Sequence, residues 1–151
     1  MGVFLKCYDI TLYPPAIMAE IRQLFGPPFG WWESIKRGGT GSPPLRWMQG
    51  PDFLNGHIGT QAPFAVVNLE FRPQSLILRV NVQGKVFLLM GIKPESALWI
   101  EKKALAGTDD RFDTCLELLS QDGVICRLAC RTSDFPRLQK QWNQHFKKPQ
   151  P

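Results

Sequence analysis

The chain has 151 residues, 44% of them apolar and 21% charged, with a formal net charge of +5. That balance is globular, and no apolar run approaches the roughly 20 residues of a spanning helix. One domain of this length buries roughly 68–70% of its unfolded surface and needs no disulfide or metal staple.

The first segment, Val3 to Leu12, predicts a strand with apolar residues on both sides: Phe4, Tyr8, Ile10 and Leu12 on one, Val3, Leu5 and Cys7 on the other. Lys6 and Asp9 interrupt it, and there is no small-residue cleavage site, so a signal peptide is not expected. Lys6 also stands where a myristoylation signal wants Ser or Thr, and a cytoplasmic protein is the expectation. Pro14-Pro15 starts a short helix with Ile17, Ile21 and Leu24 as its buried stripe, and Gly26-Pro27-Pro28 stops it.

Residues 26–62 change character. Eight glycines and five prolines break the segment, and Trp31, Trp32 and Trp47 sit among them. Breakers at that density predict an irregular segment packed on the domain, with a mobile tip near Arg37-Gly38-Gly39-Thr40-Gly41. Tryptophans interleaved with basic side chains make Trp31, Trp32, Lys36, Arg37, Arg46 and Trp47 the candidate binding residues, because Trp and Arg are enriched at binding hot spots. The competing expectation is that the tryptophans cover the open flank of a sheet.

Strands then follow in quick succession. Val67, Leu69 and Phe71 alternate with polar residues; Leu76, Leu78, Val80 and Val82 form the next core face; Gln83-Gly84 turns into Lys85–Ile92. Lys93-Pro94-Glu95 turns again, and Leu98 and Ile100 alternate with Trp99 and Glu101, either pair being able to face the core. Gly107-Thr108-Asp109-Asp110 is the last loop, with its acidic pair read as turn chemistry. A hairpin follows. A three-residue loop at Gln121-Asp122-Gly123 sets Leu118 opposite Cys126 and Leu116 opposite Leu128 on one face, with Glu117 opposite Arg127 and Asp113 opposite Arg131 on the other. A one-residue slip would bury both arginines, so the register is well specified. The last element is a helix with Ser133 as its N-cap and a stripe of Phe135, Leu138, Trp142 and Phe146; Lys147 and Lys148 suit its negative end, and Pro149 ends it.

Short strands with turns between them, a Gly-turn hairpin and a closing helix with a central Trp142 together resemble the end of a pleckstrin-homology-like domain, over roughly residues 64–146. The resemblance implies a mainly β (α+β) fold: a bent antiparallel barrel or sandwich closed by the C-terminal helix, with Trp142 packed into its open end. The chain is then a single domain, 1–151, with residues 1–62 as an N-terminal strand, helix and long loop added to the barrel. That family has seven strands before its helix, and only six are legible after residue 63. The seventh is expected from Val3–Leu12 or from a short strand near Phe53–Ile58. A plain β-sandwich with two flanking helices is the alternative.

Reactive chemistry is sparse. Cys126 and Cys130 lie on one strand face about 13 Å apart, too far to share a zinc ion or a disulfide, and are expected to be buried, reduced thiols. Cys7 and Cys115 are less constrained. No metal site and no cofactor are expected. The histidines are His57, in Asn55-Gly56-His57, and His145, which flanks the last helix's apolar stripe. No nucleophile-elbow, phosphate-loop, dinucleotide or zinc-protease motif is present.

The charge is spread. Residues 111–151 hold seven basic and four acidic side chains and so account for +3 of the total +5, a bias rather than a basic stripe, and nucleic acid is not the expected partner. The resemblance implies a lipid-headgroup signature of several Lys and Arg on its first two strands, where this chain has only Arg72 and Arg79. The expectation is therefore a non-enzymatic interaction module that binds a protein or peptide partner. Its surface would be the 29–48 segment or a groove between an edge strand and the last helix. The alternatives are peripheral binding to an anionic membrane through Trp31, Trp32, Lys36 and Arg37, and a small enzyme using His57.

Overall fold

The computed structural model describes residues 4–93, 98–103 and 112–146. Within them the elements run β1 (Phe4–Asp9), α1 (Pro15–Phe25), α2 (Trp31–Lys36), β2 (Leu45–Gln49), α3 (Asp52–Ile58), β3 (Ala65–Arg72), β4 (Ser75–Val82), β5 (Val86–Lys93), β6 (Trp99–Lys103), β7 (Thr114–Ser120), β8 (Gly123–Cys130) and α4 (Phe135–His145). The expected turn at Pro94-Glu95, the loop at Gly107–Asp110 and the tail at Lys147–Pro149 lie outside the described residues.

All eight strands join one antiparallel sheet in the order β1-β5-β4-β3-β2-β8-β7-β6. Among the described residues β1 and β6 are its two ends, so the sheet is open where a closed barrel was one expectation. One buried cluster draws side chains from β3, β4 and β5, from β7 and β8, and from α3 and α4, so the sheet bends around a common core. Leu138 and Trp142 of α4 are buried in that cluster, with Phe135 and Phe146 packed at its margin.

Alternation along β4 explains a second, smaller core. Leu76, Leu78, Val80 and Val82 face the main cluster. Ile77 points the other way and is buried with Tyr8, Ile10 and Leu89 under Ile21 and Phe25 of α1. Strands β4 and β5 are therefore covered on both sides where α1 lies over them, which is why β5 is nearly all apolar while β4 keeps Arg79 and the exposed Asn81 beyond that cover. A side chain on Gly91 would collide with the Phe25 ring, so the absence of a Cβ there lets α1 lie close on β5.

Of the two places expected to supply a further strand, Val3–Leu12 does so, as β1 on the edge beside β5, and an eighth strand that neither expectation named lies in the middle of the sheet. Residues 45–49 form it, between β3 and β8, while Phe53–Ile58 belongs to a helix. Leu45 and Trp47 are buried and Arg46 faces the other way, so the period-two pattern is present but only five residues long. Residues 26–62 are consequently not an irregular elaboration: they supply a central strand and two helices, and β1 is the strand added at the edge.

The hairpin pairs Leu118 with Cys126, Leu116 with Leu128 and Glu117 with Arg127, whose Nε donates to Glu117 at 2.8 Å. Its turn differs from the expected three-residue loop. Ser120 pairs with Gly123 across Gln121-Asp122, and Ile125 is the extra residue of a bulge that restores the register. Asp113 does not pair with Arg131. Its carboxylate accepts from the backbone N–H and hydroxyl of Thr132, at 3.0 and 2.7 Å, and so caps the 3-10 turn Thr132–Asp134. Arg131 reaches Asp134 instead, at 3.7 Å. Ser133 is no N-cap because that turn runs straight into α4, with Asp134 already helical.

Candidate functional site

The candidate site is built on α2, a helix of six residues with the sequence Trp31-Trp32-Glu33-Ser34-Ile35-Lys36. Glu33 suits its positive end and Lys36 its negative end. An i, i+4 pair between Arg37 Nε and Glu33, at 3.3 Å, adds local support. The helix ends in a Schellman motif: Gly39 N–H donates to the Ser34 carbonyl and Gly38 N–H to that of Ile35. Gly38, with φ of +73°, supplies the left-handed residue this ending requires.

The unusual feature is which way α2 faces. At about 100° per residue, Trp31, Ile35, Trp32 and Lys36 fall in that order along one arc of roughly 140°. A surface helix ordinarily turns such an arc toward the core. Here Trp31 is 69% exposed, Trp32 67% and Ile35 53%, and no residue of α2 is buried. The two indoles meet edge to face, with ring centroids 4.8 Å apart. The tryptophans do not cover a flank of the sheet.

What fixes α2 lies on either side of it. Phe29 packs against the main core, and the Arg37 guanidinium stacks on its ring at 4.2 Å. After the helix, the segment expected to be a mobile tip is tied down: Thr40 accepts from the Phe71 N–H at 2.8 Å, Ser42 N–H donates to Leu69 at 2.8 Å, and Gln141 Nε2 donates to the Gly41 carbonyl at 2.8 Å. The last of these bonds joins the loop to α4.

Between the end of α2 and α4 lies a cleft of about 300 Å3, lined by Lys36, Arg37, Gly38, Arg137, Lys140, Gln141 and Gln144. Four of those seven are cationic and none is acidic. Behind Arg37, the His145 ring packs among Phe29, Phe71 and Phe146. Burial first, and then the Arg37 charge, hold its pKa below the ordinary histidine value, so it adds no charge to the cleft near neutral pH.

Four of the six residues singled out by sequence, Trp31, Trp32, Lys36 and Arg37, come together here. Arg46 and Trp47 do not. Trp47 is 4% exposed and donates from Nε1 to Asn55 at 3.1 Å, and a side chain on Gly50 would collide with its ring; it belongs to the core. Arg46 donates to the Pro63 carbonyl at 2.7 Å and stacks on Phe112 at 4.5 Å, on the other side of β2. Arg137 and Lys140 escaped sequence reasoning because they lie on the polar face of α4, where basic residues ordinarily signify only solvation.

The other candidates are placed differently. Arg72 and Arg79 both pair with Glu70, at 2.5 and 3.2 Å, and Arg72 is buried with a bond to the Gly26 carbonyl. His57 is exposed on α3, its Nδ1 2.8 Å from the Phe53 carbonyl. Among the described residues no set of His, Cys, Asp or Glu gathers in a metal-binding arrangement, and no helix is long and apolar enough to cross a membrane. No protein-family model, no curated protein and no solved structure matches the chain.

Proposed function

We propose that the chain is a non-enzymatic interaction module that docks on an anionic membrane surface through α2. The observation behind it is the outward-facing arc of Trp31, Trp32 and Ile35 with cations at its edge. Indole rings seek the boundary between hydrocarbon and headgroups. Each basic residue held near an anionic leaflet adds about 1 kcal/mol, within the reach of a Debye length. Aromatic insertion and basic attraction are usefully combined on one face, as in helices that lie in the membrane interface. We also read β2–β8 with α4 as a pleckstrin-homology-like unit; seven antiparallel strands followed by a helix with a buried Trp142 support it.

The test is a co-sedimentation series. Binding should rise with the anionic fraction of phosphatidylcholine–phosphatidylserine vesicles and fall as salt is raised. Equal binding to purely zwitterionic vesicles at high and low salt would contradict the electrostatic half of the proposal.

A second reading, a peptide or protein partner, is favoured by one observation. β6 ends the described sheet, and Lys102 lies 5.6 Å over the Phe135 ring of α4, beside a shallow groove along that helix. An extended peptide could add there as a strand. Slowed amide exchange confined to β6 on addition of a partner would distinguish it from docking through α2.

A further inference from the structure

We infer that the cleft between α2 and α4 is a seat for a phosphomonoester group. The inference rests on the proposal that α2 faces a membrane only in naming a lipid headgroup as the source of that group.

The first argument is charge. Elsewhere six of the described cations pair with carboxylates, Lys6 with Glu20, Arg72 and Arg79 with Glu70, Lys103 with Glu101 and Glu117, Arg127 with Glu117 and Arg131 with Asp134, while Arg22, Lys85, Lys93 and Lys102 form no such pair among the described residues. In the cleft only Arg37 has such a partner, Glu33. Lys36, Arg137 and Lys140 make no ion pair or hydrogen bond among the described residues, although they line one cavity with Arg37. Like charges gathered without counter-charges repel one another, and an anion is what relieves them.

The second argument is valence and size. A carboxylate brings one charge, whereas a phosphomonoester brings about −1.5 to −2 and three strong acceptor oxygens. With Arg37 already paired to Glu33, the unpaired Arg137, Lys36 and Lys140 still match the latter, the arginine offering a planar donor fork and the lysines movable point charges. The side-chain amides of Gln141 and Gln144 add neutral hydrogen-bonding groups on the same wall. At about 300 Å3 the cleft is at the lower end of small-ligand sites, too small for a whole lipid but wide enough for its headgroup.

The third argument is that the walls are held. The bond from Gln141 to Gly41, the Schellman ending of α2 and the stacking of Arg37 on Phe29 fix α2 and α4 relative to each other. A seat that exists before its ligand arrives loses less on ordering.

The experiment compares the full chain with Arg137→Gln/Lys140→Gln, whose side chains are exposed and whose loss leaves the core intact. Binding is measured to phosphatidylcholine vesicles containing phosphatidic acid or phosphatidylserine, matched in surface potential. In parallel, the amides of Gly38 and Gln144 are followed by NMR as inorganic phosphate is added. The expected result is a preference of about tenfold for phosphatidic acid, as a few charge-assisted hydrogen bonds give. It should fall to parity in the double variant, along with the phosphate-induced shifts.

Trp31→Ala/Trp32→Ala should bind both kinds of vesicle about tenfold or more weakly and keep those shifts. If the wild-type chain ignores every vesicle yet shows the shifts, the membrane proposal fails and the seat stands, taking a soluble phosphate ester. Vesicle binding without a preference, a preference that survives in the glutamine variant, or a polyglutamate peptide that moves the same amides as strongly as phosphate would each overturn the seat.

Discussion

Trp142 is 2% exposed, with its ring 6.1 Å from Phe71 and 4.8 Å from Phe146. Nothing else on α4 fills comparable volume, so Trp142→Ala should cost about 3–5 kcal/mol in a denaturant titration. Its Nε1 is buried with no partner among the described residues. An unmet donor is itself unfavourable, and Trp142→Phe should be clearly milder than the alanine change. If Trp142→Ala melted like the wild type, α4 would not be the plug of the core.

The thiols are residue-scale features too. Burial pushes Cys126 up to about 12 and Cys130 to about 11, the nearby Asp134 and Asp113 charges adding to the latter. Both folded pKa values lie above the ordinary thiol value, so the neutral forms favour the fold. Their contribution is full below the unfolded thiol pKa of about 8.5 and is lost as pH rises toward 11–12. Iodoacetamide at pH 8 should therefore leave both unlabelled in the native chain and modify both in urea. Stability should decline on the alkaline side from about pH 9. Rapid native labelling of both would mean that the hairpin faces are reversed.

Among elements, the sharpest dependence is that of α1 on β5. Phe25 lies against the bare backbone of Gly91, and the small core around Ile77 depends on that approach. Gly91→Ala should cost about 1–3 kcal/mol, as overpacking does, and the loss should appear as weaker amide protection in α1 and β1 ahead of β7 and β8. Uniform loss of protection across the sheet would show that the two cores do not open separately.

The elements also show what could be read without coordinates. The β7–β8 register followed from pairing Leu116, Leu118, Cys126 and Leu128, because a face with one mismatched arginine is costly enough to leave a single solution. β2 was missed because five residues with one alternation, set among prolines and glycines, give too short a period to stand out. Its strand character comes from neighbours on both sides, a tertiary effect that local sequence does not carry. For α2 a signal existed: Arg37-Gly38-Gly39 is a Schellman ending, and Glu33 with Arg37 an i, i+4 pair. Breaker density masked both.

At the scale of the whole molecule, the C-terminal bias of +3 out of +5 becomes directional, because α4 presents Arg137 and Lys140 toward the end of α2. Two regions that the sequence separates by a hundred residues thus form one cationic wall beside one aromatic arc. Sequence order could not reveal that pairing; it requires the sheet order that brings α4 back over the 38–41 loop. Trp31 and Trp32 could be recognised as a candidate from composition alone, but their exposure could not, since tryptophans among loops more often cover a core, as Trp47 does.

The central claim is that the exposed arc of α2 is what meets the membrane. The most direct measurement is co-sedimentation of Trp31→Ala/Trp32→Ala with vesicles of phosphatidylcholine and 30 mol% phosphatidylserine (about a third anionic lipid, enough to engage the cations), after thermal melting has shown the variant folded. Neither indole contributes to the core, so the melting temperature should stay within a few degrees of wild type. The account predicts a folded variant whose vesicle binding is reduced about tenfold or more, the residue being the salt-sensitive attraction of Lys36, Arg37, Arg137 and Lys140. A folded variant that binds vesicles as well as the wild type, or a variant that unfolds because the indoles were structural after all, would contradict it.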